Sequence, residues 1–363
     1  VRQMALGALN YESANGKYPT SGEGYDFTNS KEQLNGESFF VQILSFIDQA
    51  GIAAKWQPKR PYWSLVAGVD GVSNNSLLAA TKIGTFLCPS NGITKDEYGG
   101  ASPGASANTA NANQYQYYGQ TDYMPVAYTD LDPTNGFRNA KSGTTKNGYK
   151  VGLLTCDQTS KVSSAVDGTS NTAIFFEDAG RSLKTLGKRT LDWSSTSTVW
   201  ISTLGNNAKA SVYLTGDAAE GGATGVDSGN SVPNRWADSD CASGVSGAPN
   251  DQGSSSSPAG YRTYSIINNN KGILPGGKTS AGSISQYGGG VDGTSSAVTA
   301  GGDCPWNKNN CGSNDEPFSL HAGGGCFSGF GDGSVHWLSE KLDVQVLRQL
   351  SDPADGDAPL AYQ

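Results

Sequence analysis

The sequence predicts an α+β protein: an N-terminal amphipathic helix packed on an antiparallel β-sheet, with a large loop-rich, β-containing insertion. Three observations predict it. Apolar residues recur at helical spacing within the first fifty residues and again only near the C-terminus. Between these stretches lie short β-type runs punctuated by Gly, Asn and Asp. The C-terminal part holds two such runs around an Asp-Gly pair, a strong local signal for a hairpin.

The elements follow in order. Val1, Met4, Ala5, Ala8 and Leu9 share one helical face, so residues 1–14 read as the end of a longer helix that Asn15-Gly16 stops. Phe39, Phe40, Ile43, Leu44 and Ile47 form the apolar face of a second helix over 37–50, with Gly51 placed to cap its C-terminus. Ile83–Leu87 reads as a short strand running into Cys88-Pro89-Ser90. Residues 99–120 are rich in Ala, Asn, Ser and Gly and lead through Tyr115, Tyr117 and Tyr118 into a strand. Thr172–Phe176 is a β-type run behind the turn Asp167-Gly168. From 203 to 303 Gly, Ser, Asn and Asp dominate, with islands such as Tyr261–Ile267, and the stretch reads as an excursion facing outward. Phe327–Phe330 and Val335–Leu338 flank Asp332-Gly333. A two-residue type I′ turn there pairs Phe330 with Val335 and Phe327 with Leu338. Asp343 caps a last helix bearing Val346, Leu347 and Leu350. The chain therefore divides into a core at 1–202, the insertion at 203–303, and a hairpin and helix at 304–363 that complete the core.

Composition narrows the function. The 363 residues carry a net charge of −8, and no run of Lys or Arg offers the positive face that nucleic acid requires. Seven Trp, 16 Tyr and 11 Phe argue for a folded chain despite 49 Gly. Six cysteines permit three disulfides, and Cys304 and Cys311, flanking a short polar loop, are the expected pair. With no Cys-x-x-Cys pair and no nearby His in the sequence, oxidised and exported is the reading preferred over reduced and metal-bound. No stretch approaches the ~18 apolar residues of a membrane span.

The chemical motifs point away from catalysis. His321 and His336 are the only histidines, and no Gly-x-Ser-x-Gly elbow accompanies them. His321 precedes Gly323, Gly324 and Gly325, where a structural hydrogen bond to a nearby carbonyl would pin the loop. Those glycines run into Cys326-Phe327 and a strand, not into the Lys-Ser/Thr and helix of a phosphate loop. Asp130, Asp132 and Asn135 place three oxygen side chains within one turn, as calcium loops do, but no bidentate Glu follows and Asp-Pro-x-Asn-Gly is also an ordinary turn. Both readings stand, and calcium is the single cofactor considered.

Six blocks then fall into one pattern. They are Val1-Arg2-Gln3-Met4-Ala5-Leu6 with Asn10-Tyr11, Asn15-Gly16 and Tyr18-Pro19; Ser38–Gln49; Phe86-Leu87-Cys88-Pro89-Ser90; Val166–Thr172 with Asp167, Gly168, Asn171 and the later Glu177; Phe318–Gly324 around His321; and Asp332-Gly333-Ser334-Val335 with the final helix. In this order they resemble a planctomycete-type prepilin-like family, which has a domain of unknown function and a C-terminal His-x(9)-Asp-Gly motif. The match misses most of 180–303. Here ten residues separate His321 from Asp332, and a bulge near Gly329 would take up the extra one. The resemblance implies a pilin-like fold and a non-catalytic structural subunit of a filament or type II secretion pseudopilus, at the cell surface and membrane-anchored before assembly. It implies identical subunits as partners, together with inner-membrane assembly machinery. A cell-surface module binding glycans or particles is the other class of function left open, and a secreted hydrolase is a third.

The expected gene sequence before Val1 is a short basic leader and an apolar helix of about 20 residues. Reading the gene upstream of Val1 checks this, and a conventional signal peptide ending at Val1 would exclude it.

Overall fold

The computed structural model describes residues 1–26, 31–34, 37–58, 60, 62, 64, 66–91, 118–131, 137–138, 150–156, 159–179, 210–211, 235–245, 248–249, 266–268, 317–319 and 321–356. The expected disulfide partners Cys304 and Cys311, the calcium candidates Asp132 and Asn135, and Tyr115 and Tyr117 lie outside them.

Helix α1 (Arg2–Asn15) ends where expected, because Gly16 takes the left-handed conformation (φ 69°) and its N–H bonds Glu12 O. Strands β1 (Glu23–Asp26) and β2 (Lys31–Leu34) form a small antiparallel ribbon, which β7 (Ala210–Ser211) extends. The helix expected over 37–50 is instead broken into pieces. Helix α2 (Phe39–Ile43) tightens into a 3-10 turn at Leu44–Phe46, and α3 (Ala50–Ala53) starts afresh with Gly51 inside it. Asp48 stands between them at φ 62°, a conformation no helix continues through. Phe39, Phe40, Val41, Ile43 and Leu44 are all buried, so this segment is enclosed by the core, not laid across its surface. After the short helix α4 (Asn75–Ala79), the expected strand at 83–87 is a 3-10 turn, Gly84–Phe86, that swings Phe86 against Phe40 and Trp236.

The main sheet runs β11 (Val335–Ser339), β10 (Gly325–Phe330), β6 (Ala173–Glu177), β3 (Tyr123–Thr129), β5 (Lys150–Val151), antiparallel at every step. Strand β8 (Ser243–Val245) adds to β3 in parallel, and β4 (Phe137–Arg138) pairs with β9 (Ala248–Pro249) elsewhere. One face carries α1, α2, Phe86, Trp236 and Phe175; the other carries Met124, Val126, Phe176, Phe330 and helix α5 (Val344–Ser351). Strand β6 serves both cores through a bulge. Gly329 pairs with Phe175 but Phe330 pairs with Ala173, leaving Ile174 as the extra residue. Ile174 and Phe175 therefore join the α1 side together, while Ala173 and Phe176 join the α5 side. The irregularity lies beside Gly329, but its extra residue is Ile174 of β6, so it does not take up the additional residue between His321 and Asp332 that the sequence led us to place there.

The C-terminal hairpin is present, but its register is shifted by one from the expected pairing. Gly329 pairs with Val335, Phe327 with Trp337 and Cys326 with Leu338. The loop has three residues, Gly331-Asp332-Gly333, closed by Gly333 N–H to Phe330 O (3.0 Å) and Phe330 N–H to Ser334 O (3.0 Å). A type I′ turn needs positive φ at both central residues. Here Gly333 has φ 85° and Asp332 does not; its carboxylate instead accepts the Ser334 N–H (2.9 Å) and hydroxyl (2.6 Å). The turn is held from below by Thr169 O, Thr172 O and the buried Tyr18 hydroxyl, which donates to Gly331 O (2.8 Å). The loop at Asp167, Gly168 and Asn171 in turn grips the C-terminal segment. Asn171 Nδ2 donates to Asp167 O, and the Asp167 carboxylate accepts the N–H groups of Asp355 and Gly356. The N-cap of α5 is Asp343, whose carboxylate accepts Gln345 N–H (2.8 Å).

The 203–303 stretch is not wholly an outward excursion. Its described residues include Arg235 and Trp236, both fully buried. Trp236 donates its indole N–H to Thr81 O (2.9 Å), and Ile266 and Ile267 join the core beside α5. Bulky aromatic and aliphatic side chains among the glycines explain it, since each gains more by burial than a loop residue would.

Gly329 tests the layering. A Cβ built there would lie 2.2 Å from Phe175 Cζ. Gly329→Val is expected to lower the unfolding free energy by about 1–3 kcal/mol through overpacking, read as a lower denaturant midpoint, with an unchanged midpoint counting against this layering.

Candidate functional site

At one end of the main sheet three distant parts of the chain meet. Glu177 is the last residue of β6 and only 1% exposed. Cys88 follows the 3-10 turn at Gly84–Phe86, and His321 precedes β10. Their ligand-type atoms, Cys88 Sγ, His321 Nε2 and a Glu177 carboxylate oxygen, all lie within 4.8 Å of one another.

Each side chain is held from behind. The backbone N–H of Cys88 donates to Asp122 Oδ2 (2.7 Å), while Asn91 Nδ2 donates to Asp122 Oδ1 (2.6 Å), so one buried carboxylate shapes the whole Cys88–Asn91 turn. Glu177 Oε2 accepts the N–H of Phe327 (2.7 Å), which leaves Oε1 facing His321 Nε2 at 3.2 Å. His321 Nε2 is also 3.6 Å from Cys88 Sγ, and its Nδ1 is 3.0 Å from Ser90 Oγ. The imidazole stands edge-on to the rings of Phe327 and Trp337, at centroid distances of 5.5 and 5.7 Å. The loop carrying it is tied by Ser319, whose hydroxyl donates to Gly325 O and whose N–H reaches Asn268 Oδ1 (2.8 Å).

Burial, and then the charge of Glu177, pushes the Cys88 thiol up to about 12. That is the opposite of an activated nucleophile, which sits in electropositive surroundings. For Cys88 the wiring of the imidazole differs from a catalytic relay as well. In a nucleophile–histidine–acid triad the two partners occupy opposite ring nitrogens. Here Cys88 and Glu177 share Nε2, and Nδ1 faces Ser90. Cys88 and Glu177 converge on one point, whereas Ser90 and Glu177 stand at opposite ring nitrogens.

Where the sequence led us to expect a nearby carbonyl, the polar side chains of Cys88, Glu177 and Ser90 stand around His321. Asp332 is not near it: the two lie beyond opposite ends of β10, and a strand of six residues spans about 20 Å. Asp130 is wholly buried just past the end of β3. The Cys88–Glu177–His321 cluster was missed because sequence spacing alone cannot bring together residues so far apart. A usable signal was there: three of the six resemblance blocks contribute one member each.

Asp122 offers a test of how the cluster is held. Asp122→Ala removes the acceptor for two buried donors, each worth about 1–3 kcal/mol. A fall of about 3 kcal/mol in unfolding free energy, at constant denaturant dependence, is expected in urea titration. An unaltered midpoint would mean that the Cys88 turn holds its shape by other means.

No curated protein and no solved structure matches the chain. A family model described as "Protein of unknown function (DUF1559)" matches residues 1–345. The match spans α1, the main sheet, all three members of the cluster and the first two residues of α5, and the chain belongs to this family, DUF1559.

Proposed function

We propose that the chain is the surface-exposed globular part of a pilin-like structural subunit of an extracellular filament or secretion pseudopilus, and that it works by assembly, not turnover. The observation that carries this reading is the seating of α1. Met4, Ala5, Gly7 and Ala8 are buried against the sheet side that also holds α2, while Arg2, Gln3 and Leu6 face outward, Leu6 being 40% exposed. A Cβ on Gly7 would come within 2.8 Å of Ile47, so the helix is drawn in close at its middle. A helix held along one side by an antiparallel sheet, with its other side open, suits a subunit that adds its helices to a common bundle. The six-block resemblance supplies the filament context. Partners under this reading are identical subunits and the membrane machinery that assembles them.

The non-catalytic half of the proposal draws on the site geometry, in which Cys88 and Glu177 compete for one nitrogen of His321. Among the described residues no helix is long and apolar enough to cross a membrane.

Leu6→Asp on the open face of α1 tests the reading. Leu6 is 40% exposed yet lies beside Gly333 of the hairpin turn, so the purified domain should stay folded with a melting temperature lowered by at most a few degrees. Cells making the full-length protein should show antibody-labelled filaments by electron microscopy with the wild type and lose them with Leu6→Asp. Wild-type protein recovered only as unassembled monomer would overturn the proposal.

A further inference from the structure

We propose that Cys88, Glu177 and His321 form a binding site for a divalent transition-metal ion, zinc foremost, with Sγ, Oε1 and Nε2 as its three protein ligands. The proposal is independent of the filament reading.

Two of the three ligand-to-ligand distances match those that a tetrahedral ion imposes, and the third lies within 4.8 Å. Zinc binds sulfur at about 2.3 Å and nitrogen or oxygen at about 2.0–2.1 Å. At tetrahedral angles those bonds set sulfur and nitrogen about 3.6 Å apart, and nitrogen and oxygen about 3.3 Å apart. Cys88 Sγ and His321 Nε2 are 3.6 Å apart, and His321 Nε2 and Glu177 Oε1 3.2 Å. A mixed sulfur, nitrogen and oxygen set suits zinc over calcium or magnesium, which take oxygen alone.

The surroundings are those of a supported ligand set. A ligating histidine donates its other N–H to an oxygen, which fixes tautomer and ring orientation; Ser90 Oγ stands 3.0 Å from Nδ1 for that purpose. Glu177 is committed through Oε2 to Phe327 N–H, leaving Oε1 as a single ligand oxygen. Asp122 fixes the Cys88 backbone. Cys88 and Glu177 are each 1% exposed, while the His321 side chain keeps 22% exposure, so an ion can reach the site from the histidine side and hold water there as its fourth ligand. The competing arrangement is a metal-free cluster in which Glu177 accepts hydrogen bonds from the imidazole and the thiol.

A titration with cobalt(II), the spectroscopic stand-in for zinc, separates the two. The full 363-residue chain is treated with chelator, kept reduced and titrated with Co²⁺, then with Zn²⁺ in competition. One equivalent should bind with tetrahedral visible bands and a thiolate-to-cobalt charge-transfer band, and zinc should displace it. Cys88→Ser should lose the charge-transfer band; His321→Ala and Glu177→Gln should weaken binding at least about 100-fold. Ser90→Ala, which keeps all three ligands, should weaken it about 10–100-fold with the band retained. Near-ultraviolet circular dichroism monitors folding of each variant. Wild-type protein that shows no charge-transfer band overturns the proposal whatever the variants do. So does a Cys88→Ser protein that keeps both the band and the affinity.

Discussion

The constraint on which the structure depends is the burial of β6 on both faces and along both edges. Ala173 to Glu177 are all buried, between β3 on one side and β10 on the other. A strand so placed would normally be apolar throughout, and this one ends in a carboxylate. Burying that charge is expensive unless donors surround it, so the chain must bring donors from elsewhere. The Phe327 N–H and the His321 ring arrive with the hairpin. Much of the architecture at this end of the sheet follows from satisfying one glutamate.

The same logic links the cluster to the rest of the fold. Asp122 begins the neighbouring strand and receives the Cys88 N–H, while its own carbonyl accepts Asp178 N–H just past Glu177. The Cys88 turn is therefore fixed to the start of β3 through Asp122 and the His321 loop to β6 through Glu177, and the two meet through Cys88, Ser90 and His321. An ion or a hydrogen-bonded cluster at the meeting point needs little further ordering, and preorganisation of this kind is what lets three weak ligands act together.

Local signals carried the legible part of the fold. Helix α1 showed its buried side in the spacing of Met4, Ala5 and Ala8 and its end in Gly16; α5 showed its start in Asp343. The hairpin was visible, yet its register was not, because Asp-Gly serves a two-residue and a three-residue loop equally well at the level of sequence. Gly331, and the fit of Gly329 over Phe175, decided the matter through contacts that sequence does not display. The apolar run at 39–47 has helical spacing, but burial of Phe39, Phe40, Val41, Ile43, Leu44 and Ile47 around its axis freed it from keeping one direction. Trp236 was invisible for the opposite reason, as a core residue set in a polar, Gly-rich stretch. At the site, His321 was singled out by its position and Cys88 and Glu177 by resemblance, while their convergence is tertiary.

The bond from the Tyr18 hydroxyl to Gly331 O joins residues 313 positions apart, and α1 rests beside the same turn through Leu6 and Leu9. Loop closure over such a distance is an entropic debt settled only when both partners exist. During synthesis the first helix emerges long before the hairpin that completes its seat. The apolar side of α1 thus stays partly uncovered until the chain has grown through the hairpin, whose turn lies 313 residues beyond Tyr18. A nascent chain of this design is a natural client for whatever shields apolar helices until the hairpin leaves the ribosome.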